Sequence, residues 1–207
     1  MKRKIFIVFI GVFISFFSLT GWGIADVYYV TDAAEFQDAL NAAAASPEDD
    51  TINMAAGTYT GHFAYEPAWW FDAGSLTIIG AGADSTIIDG NNTGRGLYIR
   101  IDVGTPNVYI EGIKFRNGKV TTGEGGGGLY IVFNPNVTNG TITIKDNTFT
   151  DNQGGYAGGA GAYVEENGEI TYQGNVFTDN QGGYAGGAYA YVGNGEITYQ
   201  GNVFTDN

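Results

Sequence analysis

Cysteine is absent from this chain of 207 residues, and proline is scarce, with only four residues. Without disulfides, an exported form must hold its fold by burial of apolar surface and by backbone hydrogen bonds. The 34 glycines far exceed the usual share of about 7%. The missing Gly-X-Y period and the low proline content exclude collagen. The 14 Tyr and 13 Phe argue against plain disorder.

Basic residues are also few, with nine Lys and Arg against 22 Asp and Glu and a formal net charge of −13. Three of the nine are Lys2, Arg3 and Lys4. A form without this basic start keeps six basic residues against the same 22 acidic ones, which is a net charge of −16. A surface of this sign repels phosphate backbones, so we expect no nucleic-acid partner.

The first 25 residues have the pattern of a signal peptide. The basic start precedes an apolar run at 5–17, and the small residues Gly23 and Ala25 suit cleavage before Asp26. The run is shorter than the roughly 20 apolar residues of a membrane span. An uncleaved anchor is the alternative. We therefore predict a signal peptide at 1–25 and an exported protein, either secreted or at the cell surface or outer membrane.

A tandem repeat occupies the last part of the chain. FTDNQGGYAGGAGAYVEENGEITYQGNV at 149–176 returns at 177–203 as FTDNQGGYAGGAYAYVGNGEITYQGNV, and FTDN opens a third copy at 204–207. The copies differ in length by one residue, where Glu165-Glu166-Asn167 becomes Gly193-Asn194. A length change beside glycine indicates a turn, because a turn can change length without shifting the register of its flanking residues.

Each repeat contains short strand-like segments, at 160–164, 169–172 and 175–178, separated by Gly and Asn. A unit of this size cannot bury its own inner face, but it can do so when stacked on a copy of itself. The repeats therefore predict an all-β, single-stranded parallel β-helix with equivalent strands about 4.8 Å apart. Similar segments occur earlier, at 76–79, 86–88, 97–101, 108–115, 129–133 and 141–144.

Identical residues at a fixed period become columns in such a stack. We predict two asparagine ladders and one phenylalanine ladder. Stacked amides can donate to one copy and accept from the other, so they stay hydrogen-bonded when buried. The predicted ladders are Asn147, Asn175 and Asn202; Asn152, Asn180 and Asn207; and Phe149, Phe177 and Phe204.

The stretch 32–45 differs from the rest of the chain and predicts a helix. Asp32 is suited to the N-cap, and Phe36, Ala39, Leu40 and Ala43 form one apolar face. An amphipathic helix at the start of a solenoid covers the core of its first coil. We assign 26–60 to this cap and the first coil and 61–207 to the β-helix coils. We expect the array to continue past 207, because no second cap follows in the sequence.

Several segments resemble known right-handed parallel β-helix proteins. The cap with Val27 to Tyr59, LTIIGAGADSTIIDGNN at 76–92 and NVYIEGIKFRNG at 107–118 resemble proteins of the pectin-lyase-like class. GGA at 158–160 and 186–188 and FxxN at 149–152, 177–180 and 204–207 resemble the repeats of polymorphic outer membrane proteins. The segments at 126–129 and 115–117 depart from those repeats. The resemblance implies a right-handed helix, and its fold hosts lyases, hydrolases, adhesins and plain stalks.

An enzyme of this fold that cleaves acidic polysaccharide needs either calcium-binding carboxylates with a base or clustered carboxylates. The only histidine, His62, is better explained as a surface residue. We therefore predict no catalytic residues, with a lyase or hydrolase whose catalytic coils lie beyond Asn207 as the alternative. The basic residues that could serve are Arg95, Arg100, Arg116, Lys114, Lys119 and Lys145, and none recurs in the tandem repeats.

The repeated aspartates Asp151, Asp179 and Asp206 form a further column. Stacked carboxylates repel each other unless solvent, hydrogen bonds or a cation intervene. We favour a solvated acidic turn, with a weak calcium site as the alternative, and we expect no other cofactor.

Aromatic residues are the candidates for carbohydrate contact: Trp69, Trp70, Tyr156 and Tyr184. Tyr163 and Tyr191 recur in the same way. Ordinary stacking or loop packing would explain these residues without a ligand. The sequence as a whole predicts an exported scaffold without catalysis, adhesive or carbohydrate-binding, with glycans or a cell surface as partners. A passive stalk is a further alternative. Membrane contact is expected only through the leader or a later region.

Overall fold

A computed structural model describes residues 25–72, 74–121, 123 and 125–207. The predicted signal peptide therefore lies almost wholly outside the described residues. The described chain is a parallel β-helix of about six turns, as the repeats predict. All strand pairs are parallel, and strands that are neighbours in a sheet belong to successive turns.

Three runs of parallel strands, called here the first, second and third sheets, lie along the solenoid, and the first and third are parts of one 10-stranded sheet. The first sheet contains β1 (Val27–Val30), β2 (Asp50–Met54), β5 (Leu76–Gly80), β8 (Asn107–Glu111) and β11 (Gly140–Lys145). The second contains β3 (Gly57–Thr60), β6 (Thr86–Asp89), β9 (Lys114–Arg116), β12 (Thr148–Thr150), β15 (Val176–Thr178) and β18 (Val203–Thr205). The third contains β4 (Phe63–Tyr65), β7 (Leu97–Gly104) and β10 (Leu129–Val137).

The long strands β14 (Ala160–Gln173) and β17 (Ala188–Gln200) join the third sheet to the first. Their first halves continue β10, and their second halves continue β11. Two short strands, β13 (Gln153–Gly154) and β16 (Gln181–Gly182), pair at the corner after the second sheet.

The turn predicted at 165–167 is instead a bulge inside β14. The register of β14 and β17 shifts between Val164 and Asn167, so that Glu165 and Glu166 face Gly193. A side chain at Gly193 would collide with the Glu165 carbonyl, which explains the glycine. Conversely, the strand predicted at 108–115 divides into β8 and β9, because Gly112 takes a left-handed conformation with φ of 70°.

The core is a set of inward-facing columns. Alternate residues of the strands are buried, as in β11, where every second residue faces inward. In the first sheet, Ile78, Ile110 and Ile144 lie at equivalent positions of successive turns, and all three are buried. This period of two follows from the pleat of a strand and packs each turn onto the next.

The predicted cap is the helix α1 (Ala33–Ala43). The Asp32 side chain caps it by accepting from the backbone N–H groups of Ala34 and Glu35, both at 2.9 Å. Phe36 on its buried face packs against the first turn, with its ring centroid 4.8 Å from that of Phe63. The helix thus closes one end of the core.

Candidate functional site

The first asparagine ladder has the predicted hydrogen bonds. The Asn147 backbone N–H and Nδ2 both donate to Asn175 Oδ1, at 3.0 and 3.3 Å. Asn175 donates to Asn202 Oδ1 in the same way, both at 2.9 Å. Asn175 Nδ2 also donates to the Ile144 carbonyl at 2.7 Å. Each amide therefore satisfies backbone groups at a buried corner as well as its neighbours in the column.

The second ladder repeats this arrangement five residues later in each turn. Asn152 donates to Asn180 Oδ1 from its backbone N–H and from Nδ2, and Asn180 donates likewise to Asn207. Asn152 Oδ1 accepts from the Gly118 backbone N–H at 2.8 Å, so the ladder begins on a turn that lacks the asparagine. These side chains are committed to the fold, which leaves them little capacity for a ligand.

The phenylalanine ladder is a face-to-face stack. Ring centroids are 4.8 Å apart from Phe149 to Phe177 and from Phe177 to Phe204, with interplanar angles of 6° and 4°. Phe115 extends the stack, 5.0 Å from Phe149. The sequence analysis missed this member, because the segment around Phe115 departs from the FxxN pattern.

The aspartate column lies at exposed turns. Asp151, Asp179 and Asp206 have left-handed backbone conformations, with φ of 54°, 56° and 53°. Aspartate tolerates this conformation better than most residues, which gives the column a role in the turn. Within the described ranges, no three or more His, Cys, Asp or Glu side chains are grouped so that they could hold a metal ion.

The tyrosines of β14 and β17 and of the bends that precede these strands form two kinds of cluster. Tyr163 and Tyr191 stack with centroids 4.7 Å apart and an angle of 13°. Tyr156 and Tyr184 meet edge to face, at 5.2 Å and 78°, and so are not a stacked column. Tyr189 contacts both, at 5.3 and 6.3 Å. The ring of Tyr184 is 78% exposed, whereas that of Tyr156 is partly covered.

Two further tyrosines stack earlier on the same sheet, and the sequence analysis did not single them out. The rings of Tyr98 and Tyr130 are 5.8 Å apart, and the Arg95 guanidinium lies over both, 5.2 and 5.0 Å from their centroids. Burial raises the pKa of Tyr98, and the Glu66 carboxylate adds to this effect.

Trp69 and Trp70 lie in the loop between β4 and β5, as predicted. Their side chains are 67% and 68% exposed and meet edge to face with centroids 5.2 Å apart. A turn within the loop is closed by the hydrogen bond from the Phe71 N–H to the Ala68 carbonyl, at 2.8 Å. Trp70 and Phe71 face α1 across a groove, whereas Trp69 is not part of its lining.

We call this groove, which has a volume of about 600 Å³, the cap groove. Its floor and walls come from α1, from β4 and from the loop after β4. Its lining residues are Gln37, Asn41, Ala44, Ala45, Ala64, Glu66, Ala68, Trp70 and Phe71. It is an open cleft with apolar walls and a few polar groups, a composition typical of small-ligand sites.

Gln37 fixes the polar side of the cap groove. Its Nε2 donates to the Ala64 carbonyl and to Asn41 Oδ1, both at 2.9 Å, and its Oε1 accepts from the Ala64 N–H at 3.0 Å. These bonds hold α1 against β4 and orient the Asn41 amide. Over the described part of the chain, the Asn41 Nδ2 group and the Glu66 carboxylate have no hydrogen-bond partner, so both face solvent.

A second groove, of about 490 Å³, lies where the third sheet meets the first. A third asparagine column lines it, and Asn194 Nδ2 donates to Asn167 Oδ1 at 2.6 Å. Glu169 and Glu196 occupy equivalent positions of neighbouring strands beside it. The recurrence of Asn-Gly at 167–168 and 194–195 is the sequence signal that could have revealed this column.

The basic residues weighed as catalysts are mostly held in ion pairs at separate places. The pairs are Arg100 with Asp102 at 3.0 Å, Arg116 with Asp89 at 2.7 Å, Lys114 with Asp84 at 3.6 Å and Lys145 with Glu111 at 2.6 Å. His62 is exposed, with its Nε2 3.0 Å from Thr93 Oγ1. The structure therefore does not bring these groups together into one cleft.

The fold is thus established by the strand pairing, and the cap groove is a cleft that combines exposed aromatic and polar groups. Over the described residues, no helix is long and apolar enough to cross a membrane. No protein-family model, curated protein or solved structure matches this chain.

Proposed function

We propose that this chain is an exported β-helix scaffold without catalytic activity, and that it binds carbohydrate in the cap groove. The observation that carries the proposal is Trp70, a large aromatic side chain that is 68% exposed while it lines a cleft with amide and carboxylate groups. An exposed apolar patch rimmed by polar residues is typical of a ligand-binding groove.

Carbohydrate fits these groups by its chemistry. The C–H face of a pyranose ring packs against a flat aromatic side chain, and its hydroxyl groups pair with planar amides and carboxylates. In the cap groove, Trp70 and Phe71 offer the aromatic surface, and Asn41 and Glu66 offer the polar groups. The bonds of Gln37 hold α1 against β4 and fix the Asn41 amide before a ligand arrives, which lowers the entropic cost of binding.

Export is part of the proposal and rests on the N-terminal segment, with its basic start, its apolar run at 5–17 and the small residues before Asp26. The likeness of the GGA and FxxN repeats to those of polymorphic outer membrane proteins supports surface display. Fractionation of the native host, followed by mass measurement of the mature form, tests this part. A product that begins at Asp26 outside the cytoplasm is expected, and an unprocessed cytoplasmic chain would contradict it.

The binding part is tested on a glycan array with the full chain and two variants. Trp70→Ala is expected to weaken binding at least tenfold, because it removes the larger of the two aromatic side chains that line the cap groove. Trp69→Ala is the matched control, since Trp69 is equally exposed but lies outside the groove. Retained binding in Trp70→Ala, or no binding of any glycan by the parent chain, would refute the proposal.

A test for glycan cleavage distinguishes binding without catalysis from the enzymatic alternative. The same glycans are incubated with the chain and examined for unsaturated or reducing ends. We expect none, with or without calcium. Product formation would instead favour a polysaccharide lyase or hydrolase of this fold.

A further inference from the structure

The charge of the cap groove is negative. Among the described residues that line it, Glu66 is the only one with a charged side chain. Within the part of the chain that the structure describes, Glu66 forms no ion pair, and its side chain is exposed. A bound ligand therefore meets a carboxylate that is not held in an ion pair.

The orientation of α1 adds to this negative field. The residues that follow the helix, Ala44 and Ala45, line the groove, so the groove lies beside the carboxyl end of the helix. That end carries a partial charge of about −0.5 from the aligned peptide dipoles. The last turn of α1 contains no basic residue that would neutralise it.

One cation, Arg100, belongs to the strand that pairs with β4. Ala64 and Tyr65 pair with Tyr98 and Ile99, which places Arg100 on the neighbouring strand close to Glu66. Its guanidinium is bonded to Asp102, however, with Nε and Nη2 3.1 and 3.0 Å from Oδ1. Asp102 therefore balances the charge of Arg100, and the field at the groove stays negative.

Trp70 completes the arrangement. The face of an indole ring attracts a cation more strongly than the rings of Tyr or Phe do. A positively charged ligand in the cap groove would thus meet three favourable groups at once: the indole of Trp70, the carboxylate of Glu66 and the end of α1. A uronate or sulfated sugar would be repelled by the last two.

From this convergence we infer that the cap groove selects glycans with a positively charged amino group, such as chains of unacetylated glucosamine. This inference rests on the proposed carbohydrate binding and specifies the class of sugar. The amino group would lie between Glu66 and Trp70, and Asn41 would pair with hydroxyl groups of the same ligand.

Three oligosaccharides of equal length test the inference by calorimetry with the full chain at slightly acidic pH. They are oligomers of glucosamine, of N-acetylglucosamine and of galacturonic acid. We expect the glucosamine oligomer to bind at least tenfold more tightly than its acetylated counterpart, and the galacturonate oligomer to bind weakest. Added salt should reduce the difference, because the preference is electrostatic.

Two variants locate the preference. Glu66→Gln keeps the shape of the side chain and removes its charge, so the glucosamine preference should fall severalfold while the acetylated oligomer binds as before. Glu166→Gln, at an exposed position far along the solenoid, is the control and should change neither. Equal affinity for the charged and acetylated oligomers, or an unchanged preference in Glu66→Gln, would overturn the inference alone. Failure of all three oligomers to bind would contradict the proposed function itself.

Discussion

The rings of Phe149 and Phe177 lie face to face with centroids 4.8 Å apart, although the two residues are separated by a full repeat in sequence. The strand pairing places Phe149 opposite Phe177 and Phe177 opposite Phe204. This spacing equals the distance between hydrogen-bonded strands, so the stack is a direct consequence of the register. The tandem repeat therefore stabilises the fold by placing identical rings in contact in successive turns.

The first prediction concerns this stack. Phe149→Ala should destabilise the fold by about 3–5 kcal/mol, because it removes a buried ring and leaves a cavity between two others. Phe204→Ala should cost clearly less, since its ring is 49% exposed and has one partner in the column. Chemical denaturation of both variants measures the difference. Equal losses of stability would contradict the stacked core.

The asparagine ladder gives the second prediction. Asn175→Ala should cost about 2–4 kcal/mol, because the buried Asn147 N–H would lose its acceptor and the Ile144 carbonyl would lose the side-chain donor. Asn194→Ala is the control, since Asn194 is exposed and makes one side-chain bond to Asn167. The denaturation midpoint should shift far more for Asn175→Ala. A similar shift in both would show that the ladder adds no stability beyond surface contacts.

The third prediction comes from the close contact between the backbones of Gly159 and Gly187, in the GGA segments at 158–160 and 186–188. A Cβ on Gly159 would lie 2.5 Å from the Gly187 carbonyl oxygen and 2.9 Å from the Phe177 ring. Gly159→Ala should therefore destabilise the fold by about 1–3 kcal/mol through overpacking. Gly57→Ala serves as the control, because a Cβ there has its nearest neighbour at 3.8 Å. Thermal denaturation that ranks Gly57→Ala as the more harmful change would refute this account.

The fourth prediction is a loss of stability at alkaline pH. Burial raises the pKa of Tyr172 well above its ordinary value, and Tyr199 adds to the shift. A group whose pKa is raised on folding gives its full stabilisation below its unfolded pKa, about 10 for tyrosine, and loses it as the pH rises further. The denaturation midpoint should thus hold up to about pH 9 and fall above about pH 10.

Replacement of the hydroxyl separates Tyr172 from other causes of alkaline unfolding. Tyr172→Phe should make the decline above about pH 10 less steep, because one proton-linked group is gone. Tyr184→Phe, at a side chain that is 78% exposed, should leave the slope unchanged. Parallel denaturation curves for the parent chain and Tyr172→Phe across this range would contradict the prediction.

The sequence predicts the ladders well and the groove poorly, for a physical reason. The ladder residues recur at the repeat period, among them Asn147, Asn175 and Phe177. In a parallel stack, residues one period apart lie next to each other, so the recurrence predicts the contact. Phe115 belongs to the same column but was missed, since in a divergent turn only the strand register reveals its place. At 165–166 the sequence predicts a turn where the structure has a bulge, because a composition rich in Asn and Gly suits both.

The cap groove has no comparable signal in the sequence. It forms because Gln37 and Asn41 of the helix face Trp70 of a loop about 30 residues later, and no period relates these positions. Trp69 and Trp70 are adjacent residues of the same type, yet of these two only Trp70 lines the cleft. Such a difference depends on the path of the loop, which local residue preferences do not determine.

The bulge in β14 confines a difference in repeat length to one place. Glu165 and Glu166 form the bulge, and the single residue Gly193 occupies the equivalent place in the next turn. The ladders on either side stay aligned. A gene that exchanges a unit of 28 codons for one of 27 would therefore encode a solenoid with the same internal columns. Copies of the repeat can then be gained or lost by recombination without compensating substitutions in the core.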